Sequence, residues 1–239
     1  MNLAVAMPVC DRPHYLSPVL ESWRGVRGIS ETLMVFRCEP GFPDMPRMVA
    51  RERHPMGPGK IAVNETRLGN DQNMKAAITS AFADGAEFVV AAEDDVMVSA
   101  DLLEYMTWAA ETYRDDKQVL AVCTHQDAPP GPLDEVRRTA WFWGGSCWGM
   151  WRDRWGEVSP GWPPSGSGYD GYLWPLVQAG RVCIQPLATR CKNIGEIGVN
   201  TRGDSFQAAW DRQQFTADVP PQSYRELAGL YGPDGRQIW

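Results

Sequence analysis

The chain has 239 residues, 44% hydrophobic and 22% charged, and carries a net charge of −7. That size and balance suit a folded protein with an ordinary core, and the acidic charge argues against nonspecific nucleic-acid binding. No apolar run approaches the roughly 18–20 residues of a membrane span and no basic-then-apolar leader opens the chain, so the expectation is a cytoplasmic protein with no membrane partner.

Residues 3–8 form a short apolar strand, followed by Val9-Cys10-Asp11-Arg12-Pro13. Tyr15, Leu16, Val19, Leu20 and Trp23 then recur at helical spacing, with Pro18 tolerable if it falls in the first turn. Residues 31–37 read as a second strand ending at Cys38-Glu39-Pro40-Gly41, and β-α-β favours parallel strands with a right-handed crossover. Residues 40–69 repeat Pro and Gly around a basic cluster (Arg47, Arg51, Arg53, Lys60, Arg67) and read as irregular, with one short strand near Ile61-Ala-Val63. A solvated loop is the plain reading of that cluster; an anionic ligand is the functional one. Asn70 or Asp71 is placed to cap a helix whose apolar face is Met74, Ala77, Ile78, Ala81 and Phe82.

That helix feeds Glu87-Phe-Val-Val-Ala-Ala-Glu-Asp-Asp-Val96, the stretch around which the charge pattern organises the chain. Its unbroken apolar run fits a strand buried on both faces of a parallel sheet. It ends in Glu93, Asp94 and Asp95, and three adjacent carboxylates repel one another unless a cation neutralises them. Ligands of open α/β sheets bind beyond the carboxyl ends of the strands, so a metal-bearing site at this tip is the expectation. Ser99 is placed to cap the next helix, with Leu102, Leu103, Met106, Ala109, Ala110 and Tyr113 on its buried face. Residues 118–123 are a further strand.

From residue 128 the character changes. Residues 141–151 are aromatic and glycine-rich, 161–171 read as a shaped loop around Asp170, and 172–178 as a short helix. Residues 181–187 read as a strand, 189–203 as a loop, 206–213 as a last helix, and the rest as a Pro- and Gly-rich tail. The eleven tryptophans, mostly after residue 140, serve either core packing or stacking against sugar rings or bases. Six cysteines without Cys-x-x-Cys or zinc-ligand spacing read as reduced, mostly buried thiols.

A carboxylate cluster offers oxygen ligands, which select hard cations such as Mg²⁺ or Mn²⁺. The chain has no Gly-x-x-x-x-Gly-Lys-Ser/Thr and no Gly-x-Gly-x-x-Gly after the first strand, which leaves a nucleotide diphosphate held by metal and side chains. The division is a first region (1–127) for that ligand and a second (128–239) for an acceptor, within one α/β domain of mixed, mostly parallel sheet flanked by helices.

The residue order resembles a GT-A glycosyltransferase, and within that fold the N-acetylglucosaminyltransferase family that initiates complex N-glycans. Cys10-Asp11-Arg12 is similar to that family's nucleotide-contacting Cys-Asp-Arg. Glu93-Asp94-Asp95-Val96 with Asp101-Leu102-Leu103-Glu104-Tyr105 resembles its Glu-Asp-Asp metal motif and following helix. Trp143-Gly144-Gly145 and a Trp148-Gly149 turn resemble its acceptor-side glycine loop, and Tyr169-Asp170-Gly171-Tyr172 stands where it has Trp-Asp-Asp-Trp. Residues 181–186, Arg190 and Gly195–Asn200 are similar to its strand and the loop that closes over donor.

The resemblance implies a Rossmann-like GT-A sheet with a loop-rich acceptor subregion. It also implies metal-dependent, inverting transfer of a sugar from a nucleotide-diphosphate donor, a UDP-sugar first among candidates. By it, Asp95 ligates Mn²⁺ or Mg²⁺, Glu93 and Asp94 meet ribose or sugar hydroxyls, and Arg12 and Glu39 hold the nucleoside. Asn73 lies where the family has a histidine facing the base, Lys75 steadies phosphate or Asp94, Arg202 supplies positive charge over the diphosphate, and Trp143, Gly144, Gly145 and Trp148 line the acceptor side. Asp170 is the candidate general base, although the family has two adjacent aspartates where this chain has Asp170-Gly171; the role has moved to Asp170 or been lost. The acceptor is a protein, a glycan or a hydroxymethylated DNA base. The rival readings are a nucleotidyltransferase and a catalytically inactive sugar- or nucleotide-binding relative.

Overall fold

Alternation along the first strand explains how the sheet acquires a core on each face. In the computed structural model, which describes residues 1–126, 128, 130–142, 147–196 and 215–238, β1 spans Leu3–Val9. Val5, Met7 and Val9 enter one core with Leu16, Val19, Leu20 and Trp23 of α1 (Pro13–Arg24). Ala4 and Ala6 enter the other with Met74, Ala77, Ile78 and Ala81 of α3 (Asn70–Ala83). Successive strand side chains point to opposite faces, so a strand covered on both sides must be apolar throughout.

β1 lies between β2 (Leu33–Cys38) and β4 (Phe88–Ala92), parallel to both, and β2 pairs in parallel with β3 (Gly59–Val63) at the sheet edge. On the other side of β4 runs β8 (Cys147–Trp151), antiparallel to it and to β6 (Val119–Cys123). Beyond β6 come β9 (Val182–Pro186), β7 (Glu135–Thr139) and β11 (Arg225–Tyr231), giving nine strands in the order β11-β7-β9-β6-β8-β4-β1-β2-β3. The sheet is mixed and mostly parallel, and it runs through both expected regions, because β8 from the second is inserted between β4 and β6 of the first. A second pair, β5 (Val96–Val98) with β10 (Cys191–Asn193), stands just past the tip of β4.

Several elements differ from the sequence expectation. Residues 44–52 form a helix, α2, buried through Met45 and Val49 while its arginines face outward. Pro18 lies in the second turn of α1, where it removes the N–H that would reach the His14 carbonyl. Gly69, and neither Asn70 nor Asp71, is the N-cap residue of α3. Ser99 does not cap α4 (Leu102–Thr112); its hydroxyl donates to Asp101 at 2.7 Å. Trp148-Gly149 is strand rather than turn, and glycine is needed there because a Cβ on Gly149 would stand 2.3 Å from the Phe88 ring. Residues 152–158 form α5, and the tail contains β11. The expected helix at 206–213 lies outside the described residues. No helix among the described residues is long and apolar enough to cross a membrane.

Candidate functional site

Three parallel strands deliver their carboxyl ends to one place: β1 to Cys10 and Arg12, β2 to Glu39, and β4 to Glu93, Asp94 and Asp95. The Cys10 amide donates to Asp94 Oδ2 at 3.1 Å, and Arg12 donates to Asp94 Oδ1 at 2.5 Å and to Asp95 Oδ2 at 2.7 Å. From the far side, Asn193 Nδ2 approaches Asp95 Oδ1 at 3.5 Å, and the Ile194 amide donates to the Asp95 carbonyl at 2.8 Å. Gly195 donates to Asn193 Oδ1 at 2.7 Å, and any side chain at 195 would collide with the Asp95 carboxylate, 2.2 Å from a built Cβ. The β5–β10 pair thus clamps the acidic tip. Glu93 turns the other way, accepting from the Tyr169 hydroxyl at 3.0 Å.

One guanidinium faces two carboxylates, with Glu93 turned away behind them, and the proton affinities register the imbalance. Burial, together with Asp94, pushes Asp95 up to about 6 even though Arg12 opposes the shift. Burial, then Asp95 and Asp170, hold Glu93 well above the usual carboxylate range. Burial alone would lower Arg12, but Asp94 and Asp95 outweigh it and keep it fully cationic. The Cys10 thiol is pushed up to about 11 by burial and by Asp11, so it is protonated at neutral pH and not a nucleophile. An oxygen-only donor set with excess negative charge fits a hard divalent cation. Among the described residues no group of three or more His, Cys, Asp or Glu is placed to hold an ion.

The nucleoside-side candidates are turned inward. Glu39 is 2% exposed, and its carboxylate accepts from the amides of Leu68 (3.0 Å) and Gly69 (2.6 Å). Asn73 accepts from Asn64 at 2.9 Å and donates to the Arg37 carbonyl at 3.1 Å. Lys75 is half-buried on α3 and forms no ion pair among the described residues. These three line the end of β2 and the start of α3, a neighbouring but separate set from the Arg12–Asp94–Asp95 triad.

Asp170 belongs to the first turn of α6 (Tyr169–Gln178). It is exposed at the residue level, while its aromatic neighbour Tyr169 is buried. Surrounding protein, and then the negative Asp71, push the Asp170 carboxyl up to about 7; solvent at the exposed rim screens part of that effect. Asp71, read from sequence as a helix cap, sends its carboxylate to the loop before α6 and accepts from the amides of residues 166–169. Tyr169 stacks on Trp162 at 5.4 Å between ring centroids, and Trp162 on Trp148 at 6.3 Å. Sequence reasoning missed Asp71, Tyr169 and Asn193 as site-building residues. Asp71 offered no local signal, since its partners lie 95–98 positions away.

On the acceptor side, Trp143, Gly144 and Gly145 lie outside the described residues, as does Arg202. Trp148 is a correction: at 1% exposure, wedged between Phe142 and Trp162, it supports the site from beneath and presents no face to an acceptor. Among the described residues, an exposed aromatic near Asp170 is Trp174, one turn further along α6, with its ring 4.2 Å from Trp141.

The sequence model of the GNT-I family matches residues 72–213, a span that includes the acidic tip and Asp170. The mannosyltransferase PcManGT from Pyrobaculum calidifontis, in complex with GDP-Man and Mn²⁺, superposes with a TM-score of 0.57 at 17% identity, over 77% of this chain and 54% of its own. S. aureus TarS 1–349 in complex with UDP gives 0.60 at 15% identity, over 80% and 60%. GalNAc-T7 with UDP, GalNAc and Mn²⁺ gives 0.53 at 13%, over 80% and 43%. At these identities the likeness is one of fold, the GT-A fold. The chain spans only 43–60% of the lengths of these structures.

Proposed function

The chain belongs to the GNT-I family, and on that premise we propose that it is a metal-dependent, inverting glycosyltransferase. It moves a sugar from a nucleotide-diphosphate donor, a UDP-sugar, to an acceptor hydroxyl. The observation that carries this reading is the position of the acidic tip: Asp94 and Asp95 face Arg12, while Glu93 is joined through Tyr169 to the helix that bears Asp170.

In this reading Asp95 holds Mn²⁺ or Mg²⁺, which when bound supplies positive charge to the departing diphosphate. Glu93 and Asp94 accept from hydroxyls of the ribose and the donor sugar. Arg12 stands beside the donor, and Glu39, Asn73 and Lys75 shape the nucleoside side, with Arg202 adding positive charge at the diphosphate. Asp170 takes the proton from the acceptor hydroxyl as its oxygen attacks the donor carbon, and the diphosphate leaves from the opposite face. A carboxyl raised toward neutrality suits that task, because it accepts a proton readily and still ionises at physiological pH.

Trp174 offers an aromatic face one turn from Asp170, fitting the apolar side of a sugar ring, and Trp143, Gly144 and Gly145 complete the acceptor side in this reading. The carboxylates around the site and the net charge of −7 disfavour a polyanion, so a glycan or a protein side chain is favoured over a modified DNA base. Gly171, where the family carries a second aspartate, supports the rival reading of a binding-only relative. No packing forces glycine there, since nothing lies within 4 Å of a built Cβ.

A thermal-shift screen of nucleotide sugars with and without Mn²⁺ tests the proposal. The expected result is a rise in melting temperature with a UDP-sugar that requires Mn²⁺, accompanied by slow release of UDP as water replaces the acceptor. No shift with any nucleotide sugar would overturn it. A shift without hydrolysis or transfer would favour the binding-only relative.

A further inference from the structure

The N-terminus of α6 has no cap of its own. Gly168 stands at the N-cap position without a side chain, and helix starts leave up to four backbone N–H groups unsatisfied. The missing acceptor comes from another helix. Asp71 Oδ2 accepts from Gly166 at 2.8 Å, Ser167 at 3.2 Å and Gly168 at 3.3 Å, and Oδ1 accepts from Tyr169 at 2.8 Å. At 2% exposure, this carboxylate is stabilised by the four amides and by the positive end of the α6 dipole.

We propose that Asp71 is the positioning residue of the transfer reaction, fixing Asp170 against the acceptor hydroxyl by gathering the backbone of residues 166–169. The inference rests on the reading of Asp170 as the general base.

The surrounding contacts give Asp71 little freedom. Trp162 Nε1 donates to its carbonyl at 2.8 Å, Gln72 Nε2 donates to the Pro163 carbonyl at 2.6 Å, and the Ser165 hydroxyl donates to Leu68. Gly69 passes so close to Ser165 that a Cβ would lie 2.8 Å from it, and Gly69 is itself held by Glu39. Gly166 and Gly168, at φ +84° and +76°, supply the left-handed backbone that curls their amides around one oxygen. The loop therefore has a single seat, and the next residue after it is Asp170. Asp71 acts on Asp170 electrostatically as well, since its negative charge disfavours ionisation there. Among the described residues, the other ionisable groups that act on Asp170 are Glu93, from the tip of β4, and the Tyr169 phenol that donates to Glu93.

The test is steady-state kinetics of Asp71→Asn, Asp71→Glu and Asp170→Asn, with pH profiles and melting temperatures. Asn keeps one good acceptor and loses the charge. Asp71→Asn is expected to lower kcat roughly ten- to a hundredfold, as small misplacements of catalytic groups do, with donor KM unchanged. The acid limb of its kcat/KM profile should move to lower pH, because removing a negative neighbour lowers the pKa of Asp170. Asp71→Glu should leave the limb in place and still lose turnover. A purely structural role would lower the melting temperature and leave the limb unmoved, and that result would overturn the inference. If Asp71→Asn fails to fold, unchanged turnover in Asp71→Glu would overturn it. Asp170→Asn separates the two failures: full turnover there removes the base assignment itself, whereas loss of turnover there with a wild-type-like Asp71→Asn removes only this inference.

Discussion

Arg12 donates to Asp95 at 2.7 Å, tying the loop after β1 to the tip of β4. The same guanidinium reaches Asp94 at 2.5 Å, so one cation neutralises two carboxylates that are almost fully shielded from water. Removing one partner of a buried ion pair exposes the cost of burying the other. Arg12→Gln should cost about 2 kcal/mol, less than for a fully buried pair because the guanidinium is about a quarter exposed. Millimolar Mn²⁺ should narrow the gap to wild type, since a divalent ion takes over the neutralisation. Chemical denaturation with and without Mn²⁺ reads both effects; a variant as stable as wild type would show that Arg12 is not the neutralising group.

The acid limb of the reaction follows from Asp170. A base works in its ionised form, and surrounding protein and Asp71 raise this carboxyl toward about 7, an effect that solvent at its exposed rim screens in part. kcat/KM should therefore fall as pH drops below about 7 and level off above it. Asp170→Asn should cut turnover by orders of magnitude while leaving donor affinity nearly intact. Unchanged turnover moves the base elsewhere; recovery on adding Gly171→Asp to that variant would place it at the neighbouring position, which has room for a side chain.

Two tryptophans separate binding from support. Trp174→Ala should raise the acceptor KM roughly tenfold, the scale of one aromatic contact, with donor KM unchanged. Trp148→Ala should instead cost about 3–5 kcal/mol, the range for emptying a large core site, because Trp148 is 1% exposed among Phe142, Trp162 and Tyr169. Equal effects of both substitutions on acceptor KM would contradict this division.

Arg190 and Asp101 form a fully buried pair at 2.7 Å, both side chains at 0% exposure, with the Tyr224 hydroxyl donating to the same carboxylate at 3.0 Å. The pair fastens β10 to the start of α4 and so supports the clamp on Asp95. Arg190→Ala should destabilise by about 3–5 kcal/mol by stranding the Asp101 charge. A melting temperature within a few degrees of wild type would show that the pair is dispensable.

The parts of the fold legible in the sequence are the helices with a clear apolar stripe, α1, α3 and α4, and the strands with an apolar run between turn residues, β1, β2, β4, β6 and β9. Such a run states burial on both faces without reference to any partner. α2 was hidden because only Met45 and Val49 mark its inner face in a Pro- and Arg-rich segment. β8 was hidden because Gly149, which reads as a loop residue, is there to let the Phe88 ring pass. β11 is half-exposed at the sheet edge and lacks a buried stripe. In the site, the acidic tip and Arg12 were legible because charge at a strand end is a local signal. Asp71 was not, since a carboxylate that serves amides nearly a hundred residues away looks in sequence like a helix cap. Trp148 misled for the converse reason: an aromatic beside glycine reads equally as platform or as core, and only neighbouring Trp162 and Phe142 decide.

The central claim is that the tip of β4 holds a donor diphosphate through a metal on Asp95. Calorimetric titration of UDP or a UDP-sugar into wild-type and Asp95→Ala protein, each with and without Mn²⁺, tests it most directly. Binding to wild type should depend on Mn²⁺, and Asp95→Ala should show no Mn²⁺-dependent binding. Wild-type-like, Mn²⁺-dependent binding by Asp95→Ala would contradict it.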